Sequence, residues 1–190
     1  MNQSNLRRIV FISLFTALII IGSYLSFPIP FSPIPIVLSD FFLMLAGLCL
    51  GTSGVISTGL FLFLGAIGIP VFTRGKAGLG VFMGPTGGFL LGYLIGVYVL
   101  GLISGKGKPA LFKDLMGLIA FNLIIFGLEI PWLKLLLKVS WDQALALGFT
   151  PFVIGNSAKT IAAVMLIQKI RPFLDEILKD QSRERSNEHS

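Results

Sequence analysis

Three ionisable side chains, Asp40, Glu129 and Lys159, stand within or at the ends of long apolar stretches of this 190-residue sequence. In a hydrocarbon environment a charge at mid-helix costs on the order of 3 kcal/mol on insertion scales, so each needs a reason to be there. Lys159 follows Pro151-Phe-Val-Ile-Gly-Asn156 and is flanked by Ala158, Ala162 and Ala163. An ammonium in such surroundings can hold a carboxylate, or it can snorkel to an interface. Asn156, three residues earlier, falls on nearly the same helix face. Its amide donates and accepts at once, which suits an amide or urea group, a neighbouring helix or its own helix end. Asp40 opens an apolar run, where a carboxylate favours a helix N-terminus, and capping is the simpler reading for it. Glu129 ends another run just before Pro131, and there a site role and an interface role are equally open.

A fourth feature is Gly84-Pro-Thr86-Gly87-Gly88, a glycine-rich turn that opens an apolar helix. Such a turn can aim free backbone N–H groups at a ligand oxygen while backbone and ligand approach closely. The alternative is a close-packed helix start, and Gly88, Gly92 and Gly96, four apart, favour packing for that face. Other chemistries fail on composition. The lone Cys49 builds neither a disulfide within the chain nor a metal cluster, and the lone His189 lies in the polar C-terminal stretch, so no Ser/His/Asp or Cys/His machinery is available. Gly101-Leu-Ile-Ser-Gly-Lys106-Gly lacks P-loop spacing and the Ser or Thr that would hold Mg²⁺. The chain is therefore not expected to be an enzyme, to hydrolyse ATP or to need a cofactor.

The elements that must position these residues are membrane helices. Apolar residues make up 54% of the chain and charged ones 13%, about half the usual share in a soluble domain, and the mean hydropathy is +0.88. Six segments are apolar and long enough, at about 20 residues per span or fewer when packed inside, to be read as transmembrane. They are Ile9–Leu25, a hairpin of Pro35–Leu50 and Gly54–Ile69 turned by Gly51-Thr-Ser-Gly54, Gly87–Ser104, Leu111–Glu129 stopping at Pro131, and Phe152–Lys169. Four prolines between Phe27 and Pro35 forbid helix there and predict a stiff extended loop. Trp132–Gly148 is amphipathic, with Trp132, Trp141, Lys134 and Lys138 suited to the interface. The expected fold class is thus an all-α integral membrane protein, residues 1–173 forming one six-helix domain and 174–190 a polar tail.

Lysine and arginine set the orientation. The termini and even-numbered loops hold Arg7, Arg8, Lys106, Lys108, Lys113, Lys169, Arg171, Lys179, Arg183 and Arg185. The other side holds Arg74, Lys76, Lys134 and Lys138. The bias predicts both termini in the cytoplasm and the proline-rich loop outside, in a multi-pass protein of the cytoplasmic membrane. It also assigns the net charge of +6 to topology and lipid headgroups, with no nucleic-acid partner.

Four motifs, in order along nearly the whole chain, resemble the BioY family, the biotin-specific substrate-binding (S) components of energy-coupling-factor (ECF) vitamin transporters. They are Pro28-Ile-Pro-Phe-Ser-Pro-Ile-Pro35, Leu64-Gly-Ala-Ile-Gly-Ile-Pro-Val-Phe72, Gly84-Pro-Thr-Gly-Gly-Phe-Leu-Leu-Gly-Tyr93 and Pro151-Phe-Val-Ile-Gly-Asn-Ser-Ala-Lys159. The resemblance implies a six-helix S-component bundle, a biotin pocket near the outer surface and the first outer loop as its lid. It also implies assembly with a transmembrane coupling subunit and two cytoplasmic ATPase subunits through small residues of the first helix, which Ser13 and Ala17 match approximately. On this reading Lys159, Asn156, Gly84, Thr86, Gly87, Gly88, Phe31, Ser32, Arg74, Phe89 and Tyr93 surround the vitamin, with Phe82 a further aromatic candidate. Two positions depart from the pattern: Asn156 stands where the family has Asp before the lysine, and Ser39 where it has Gln. An amide in place of a carboxylate removes a charge-assisted acceptor, so an S component for a biotin relative or another vitamin remains an alternative, as does a non-binding membrane scaffold.

Overall fold

The computed structural model describes the backbone of residues 3–30, 32–104 and 110–188, and side-chain environments for residues 5–30, 32–104 and 110–172. The expectations placed on Phe31, on the basic turn holding Lys106 and Lys108, and on the side chains of the C-terminal tail lie outside the described residues.

Helix α1, Gln3–Tyr24, carries Arg7 and Arg8 in its second turn and ends where the proline-rich loop begins. The loop is closed at its base by a two-residue antiparallel ladder, β1 (Ser26–Phe27) with β2 (Ile36–Val37), so its prolines are carried on a pinned stalk. Two further bonds from Leu38 N–H, to the carbonyls of Gly22 and Leu25, tie the loop's exit back to the end of α1.

Helices α2 (Ser39–Leu50) and α3 (Gly54–Ala66) follow, joined by a 3₁₀ turn at Gly51–Ser53 in which Gly51 takes φ 58°. Contacts with α1 show that they run antiparallel. The start of α2 lies at Gly22, Ser57 near the start of α3 bonds the Ile12 carbonyl, and the chain beyond α3 returns to Ser23 through the Val71 carbonyl. At the turn itself, a Cβ on Gly54 would come within 2.7 Å of the Ala46 carbonyl oxygen, so only glycine lets the two helices close so sharply. At 12 and 13 residues these helices rise only about 18–20 Å each. Their short length fits their interior position, since 56% of the most apolar stretch of Ser39–Ala66 is buried against 33% for α1.

Helix α4, Gly87–Ile103, lies against α5, Leu111–Leu137, along an unusually close seam. A Cβ on Gly88, Gly92 or Gly96 would meet Glu129, Ile125 or Phe121 at 2.7–3.0 Å, so the glycine ladder serves backbone approach between helices. Helix α5 does not stop at Pro131 as the sequence reading expected. It continues to Leu137 and ends at Lys138, which takes the left-handed conformation. Proline there removes one intrahelical bond, a loss that packing from neighbouring helices makes tolerable in a membrane helix. The amphipathic segment is accordingly shorter than expected, reduced to α6, Trp141–Gly148, which starts at a Ser140–Gln143 capping box and places its Trp141 ring under Lys134 of α5. The last helix, α7, begins at Thr150 and runs through the polar C-terminal stretch to Glu188.

The core is centred on α2 and α4, with Leu43, Met44, Val97, Leu100, Phe121 and Ile125 inaccessible. Large apolar residues such as Val10, Leu14, Phe63, Ile95, Leu123 and Ile161 face outward instead. That inversion of soluble-protein patterning is what a lipid-facing surface requires, and among the described residues four segments are long and apolar enough to cross a membrane: Asn5–Tyr24, Ser39–Ala66, Leu111–Leu137 and Thr150–Pro172. Gly87–Ile103 is a shorter apolar helix.

Candidate functional site

A cavity of about 430 Å³ opens at the end of the bundle where α1 and α3 finish and α2, α4 and α7 begin. That size lies within the usual range of small-molecule sites. Its walls come from the proline-rich loop (Pro33, Ile34, Pro35), the start of α2 (Ser39, Asp40), the segment between α3 and α4, the first two turns of α4, and Phe152 of α7.

Two sets of aromatic contacts stiffen those walls. Phe72 stands edge-on between Phe61 and Phe82, with ring centroids 5.4 and 5.6 Å away. Phe89 contacts Phe126 and Phe152 at 5.9 Å and Tyr93 at 6.4 Å. The segment between α3 and α4 folds back at residues 72–76, where Arg74 and Gly75 both take positive φ. An isolated bridge between Phe72 and Lys76 closes this turn. A non-glycine residue in that conformation is disfavoured by its Cβ, and here it presents Arg74 and Lys76, both solvent-exposed, along the cavity rim.

The inner wall has the opposite charge. Asp40 is buried, its Oδ2 2.7 Å from Lys159 Nζ and its Oδ1 accepting the Tyr93 hydroxyl at 2.6 Å. Lys159 also donates to the Val37 carbonyl at 2.9 Å. The lysine singled out in the sequence is therefore held by a residue 119 positions earlier in the chain, and it stands behind the cavity wall while Asp40 and Tyr93 face the space. Asn156 turns away: it donates to Asn122 Oδ1 at 3.2 Å, and Asn122 reaches Thr160 at 3.1 Å, making a polar contact between α5 and α7. No charge thus stands at position 156, and the counter-ion of Lys159 comes from α2.

Other anticipated residues divide in the same way. Gly84, Thr86, Arg74, Phe89 and Tyr93 line the cavity, as does Phe82's neighbour Val81. Gly87 and Gly88 are buried against the Phe82 backbone, Trp132 and Glu129. The N–H groups of the turn are largely spent: Gly84 on Val81, Gly87 on Gly84 and Phe89 on the Glu129 carboxylate at 2.8 Å. Glu129, fully buried, thus caps α4 from the side of α5. Ser32 donates from the proline-rich loop to the Leu147 carbonyl at 2.7 Å, fastening that loop to α6. Ser13 and Ala17 lie on the outward face of α1.

At the opposite end of the bundle the sequence reading missed a second buried ion pair. Asp114 accepts both Arg171 guanidinium nitrogens at 2.8 Å, Ser104 at 2.6 Å and Gln168 at 2.9 Å. Arg171 had been counted with the exposed basic residues that set topology; it is instead 4% exposed, and Asp114 is wholly buried. Its signal was an arginine and an aspartate near the ends of two apolar runs, each of which a loop position explained equally well.

Comparison with known proteins places this geometry. The BioY family model matches residues 1–176. The chain is 34% identical over 166 residues to a probable biotin transporter BioY of Pyrococcus horikoshii, covering 87% of this chain and 96% of that one. It is 32% identical over 167 residues to the biotin transporter BioY of Thermotoga maritima, again covering 87% and 96%. Its fold superposes on a crystal structure of the S-component for biotin from an ECF-type ABC transporter with a TM-score of 0.82 at 28% identity, covering 90% of this chain and 94% of the other.

Proposed function

The chain belongs to the BioY family, and on that premise we propose that it binds biotin and serves its uptake across the cytoplasmic membrane as the S component of an ECF-type transporter. The observation that carries the reading is the cavity: aromatic walls, a buried carboxylate at its inner side and two cationic side chains at its rim. Biotin has the matching parts, an apolar bicycle, a urea with N–H donors and an acid at the end of a flexible chain. The valerate carboxylate lies toward Arg74 and Lys76, the bicycle against Phe89 and Phe152, and the urea toward Thr86, Ser39 and Asp40. Gly84 gives the bicycle room, while Ser32 belongs to the loop that covers the entrance. Lys159 and Asn156 act from behind the wall, the first through Asp40 and the second through the α5–α7 contact.

In this reading six helices cross the membrane, α1 to α5 and α7, with both termini cytoplasmic. Two arguments support that count: α2 and α3 are antiparallel, and α4 is buried over much of its length between α3 and α5. The cavity then opens to the outside. The exposed face of α1 carrying Ser13 and Ala17 meets a transmembrane coupling subunit, which works with two cytoplasmic ATPases, since no P-loop stands in this sequence.

Calorimetric titration of biotin into the detergent-purified protein tests the proposal. Saturable heats that disappear when the protein is first equilibrated with excess biotin support it; no heat at millimolar ligand refutes it. Co-purification of ATPase subunits with the tagged chain tests the assembly.

A further inference from the structure

Within the proposed biotin site, on which this step rests, we infer that Asp40 is the specificity-determining acceptor: it takes one urea N–H of the ligand and so selects for cyclic ureas over analogues lacking that donor. Among the described residues lining the cavity, Asp40 is the single acidic side chain, and at 4% exposure it is placed deeper than Arg74 and Lys76. A carboxylate offers about four acceptor positions. Lys159 uses one on Oδ2 and Tyr93 one on Oδ1, which leaves each oxygen able to accept again.

The two partners do different work. Lys159 Nζ is anchored by the Val37 carbonyl as well as by Asp40, so it holds the carboxylate in place; Lys159 is a positioning residue. Tyr93, from α4, fixes the second oxygen and so the plane of the carboxylate. The acceptor is thereby preorganised before a ligand arrives, and a donor there forms a charge-assisted bond in a site shielded from water. A ligand group without a donor would leave the carboxylate facing an apolar or repelling atom. Ser39, buried beside Asp40 on the cavity wall, adds a hydroxyl that can serve the adjoining urea carbonyl.

The test is a binding comparison in detergent of biotin with its two mono-N-methyl urea derivatives, each lacking one N–H. The proteins are the wild type, Lys159→Met, and the double variant Asp40→Leu with Lys159→Met. The double variant removes both charges together, because a buried pair replaced by apolar residues usually leaves folding intact whereas one stranded partner does not. The wild type is expected to prefer biotin over one N-methyl isomer by roughly 10–100-fold, the scale of a hydrogen bond to a charged group. That preference should weaken in Lys159→Met, where the carboxylate loses the ammonium that holds it in place, and shrink to within about threefold in the double variant. An undiminished preference in a double variant that still binds biotin would overturn the role of Asp40 and leave the biotin assignment standing. Failure of the wild type to bind biotin would overturn both.

Discussion

Removing the carboxylate of Asp114 should destabilise the bundle more than any surface substitution. The residue has no solvent exposure and accepts four hydrogen bonds, two of them from Arg171. Without it, the guanidinium keeps Ser104 at 3.0 Å and the Leu48 carbonyl at 3.4 Å, neither of them charged. Asp114→Ala should therefore cost about 3–5 kcal/mol, the range for stranding one partner of a buried pair. Arg171→Met should cost a similar amount, whereas the double variant Asp114→Leu with Arg171→Met should lie within about 2 kcal/mol of the wild type, because no charge is left unpaired. Unfolding in mixed micelles, followed by the fluorescence of Trp132 and Trp141, reads these differences; 4 kcal/mol changes the folded-to-unfolded ratio about a thousandfold. Arg171 lies 12 residues beyond Lys159 on α7, about 18 Å along the axis, so the affinity of the folded double variant for biotin should stay within about threefold of the wild type. Single variants costing less than about 1 kcal/mol, or a double variant costing their sum, would refute the assignment of this cluster as a coupled buried pair.

Glu129→Leu should lose about 1–3 kcal/mol in the same unfolding assay by orphaning the buried Phe89 N–H, and Glu129→Gln, which keeps an acceptor, should recover most of it. Gly92→Leu should lose about 1–3 kcal/mol or more by overpacking, since its first carbon alone would come within 3.0 Å of Ile125 Cα. Arg74→Ala should weaken biotin binding roughly threefold to fivefold, and the wild-type advantage should fade as salt is raised, because the guanidinium is exposed at the rim. Ser32→Ala removes the loop's bond to the Leu147 carbonyl and should speed biotin dissociation by roughly fivefold, measured by chase with unlabelled ligand, with little change in unfolding.

Much of the architecture was legible because its determinants are local. Proline at four places between Phe27 and Pro35 excludes helix through backbone geometry alone, and the loop is non-helical where it is described. Gly51 and Gly54 marked a hairpin that the structure forms at those residues. Glycine spacing in α4 favoured packing over ligand contact for Gly88, and its neighbour across the seam is Glu129. The reading failed at Pro131, where a rule about local backbone was overridden by the helices packed around it.

Sequence by itself determined that the chain is built for a bilayer, where its helices break, and which polar residues need a reason to be buried. Apolar run length, proline and glycine act over a few residues, and so they are written locally. Tertiary structure alone decided what those buried groups do. Lys159 required a counter-ion, but nothing near it in sequence revealed that Asp40 supplies it, or that the lysine consequently stands behind the wall it was expected to line. Arg171 and Asp114 are separated by 57 positions, Tyr93 and Asp40 by 53. A buried charge is stabilised by whichever donor or acceptor the packed helices bring within about 3 Å, and only the assembled bundle fixes that distance.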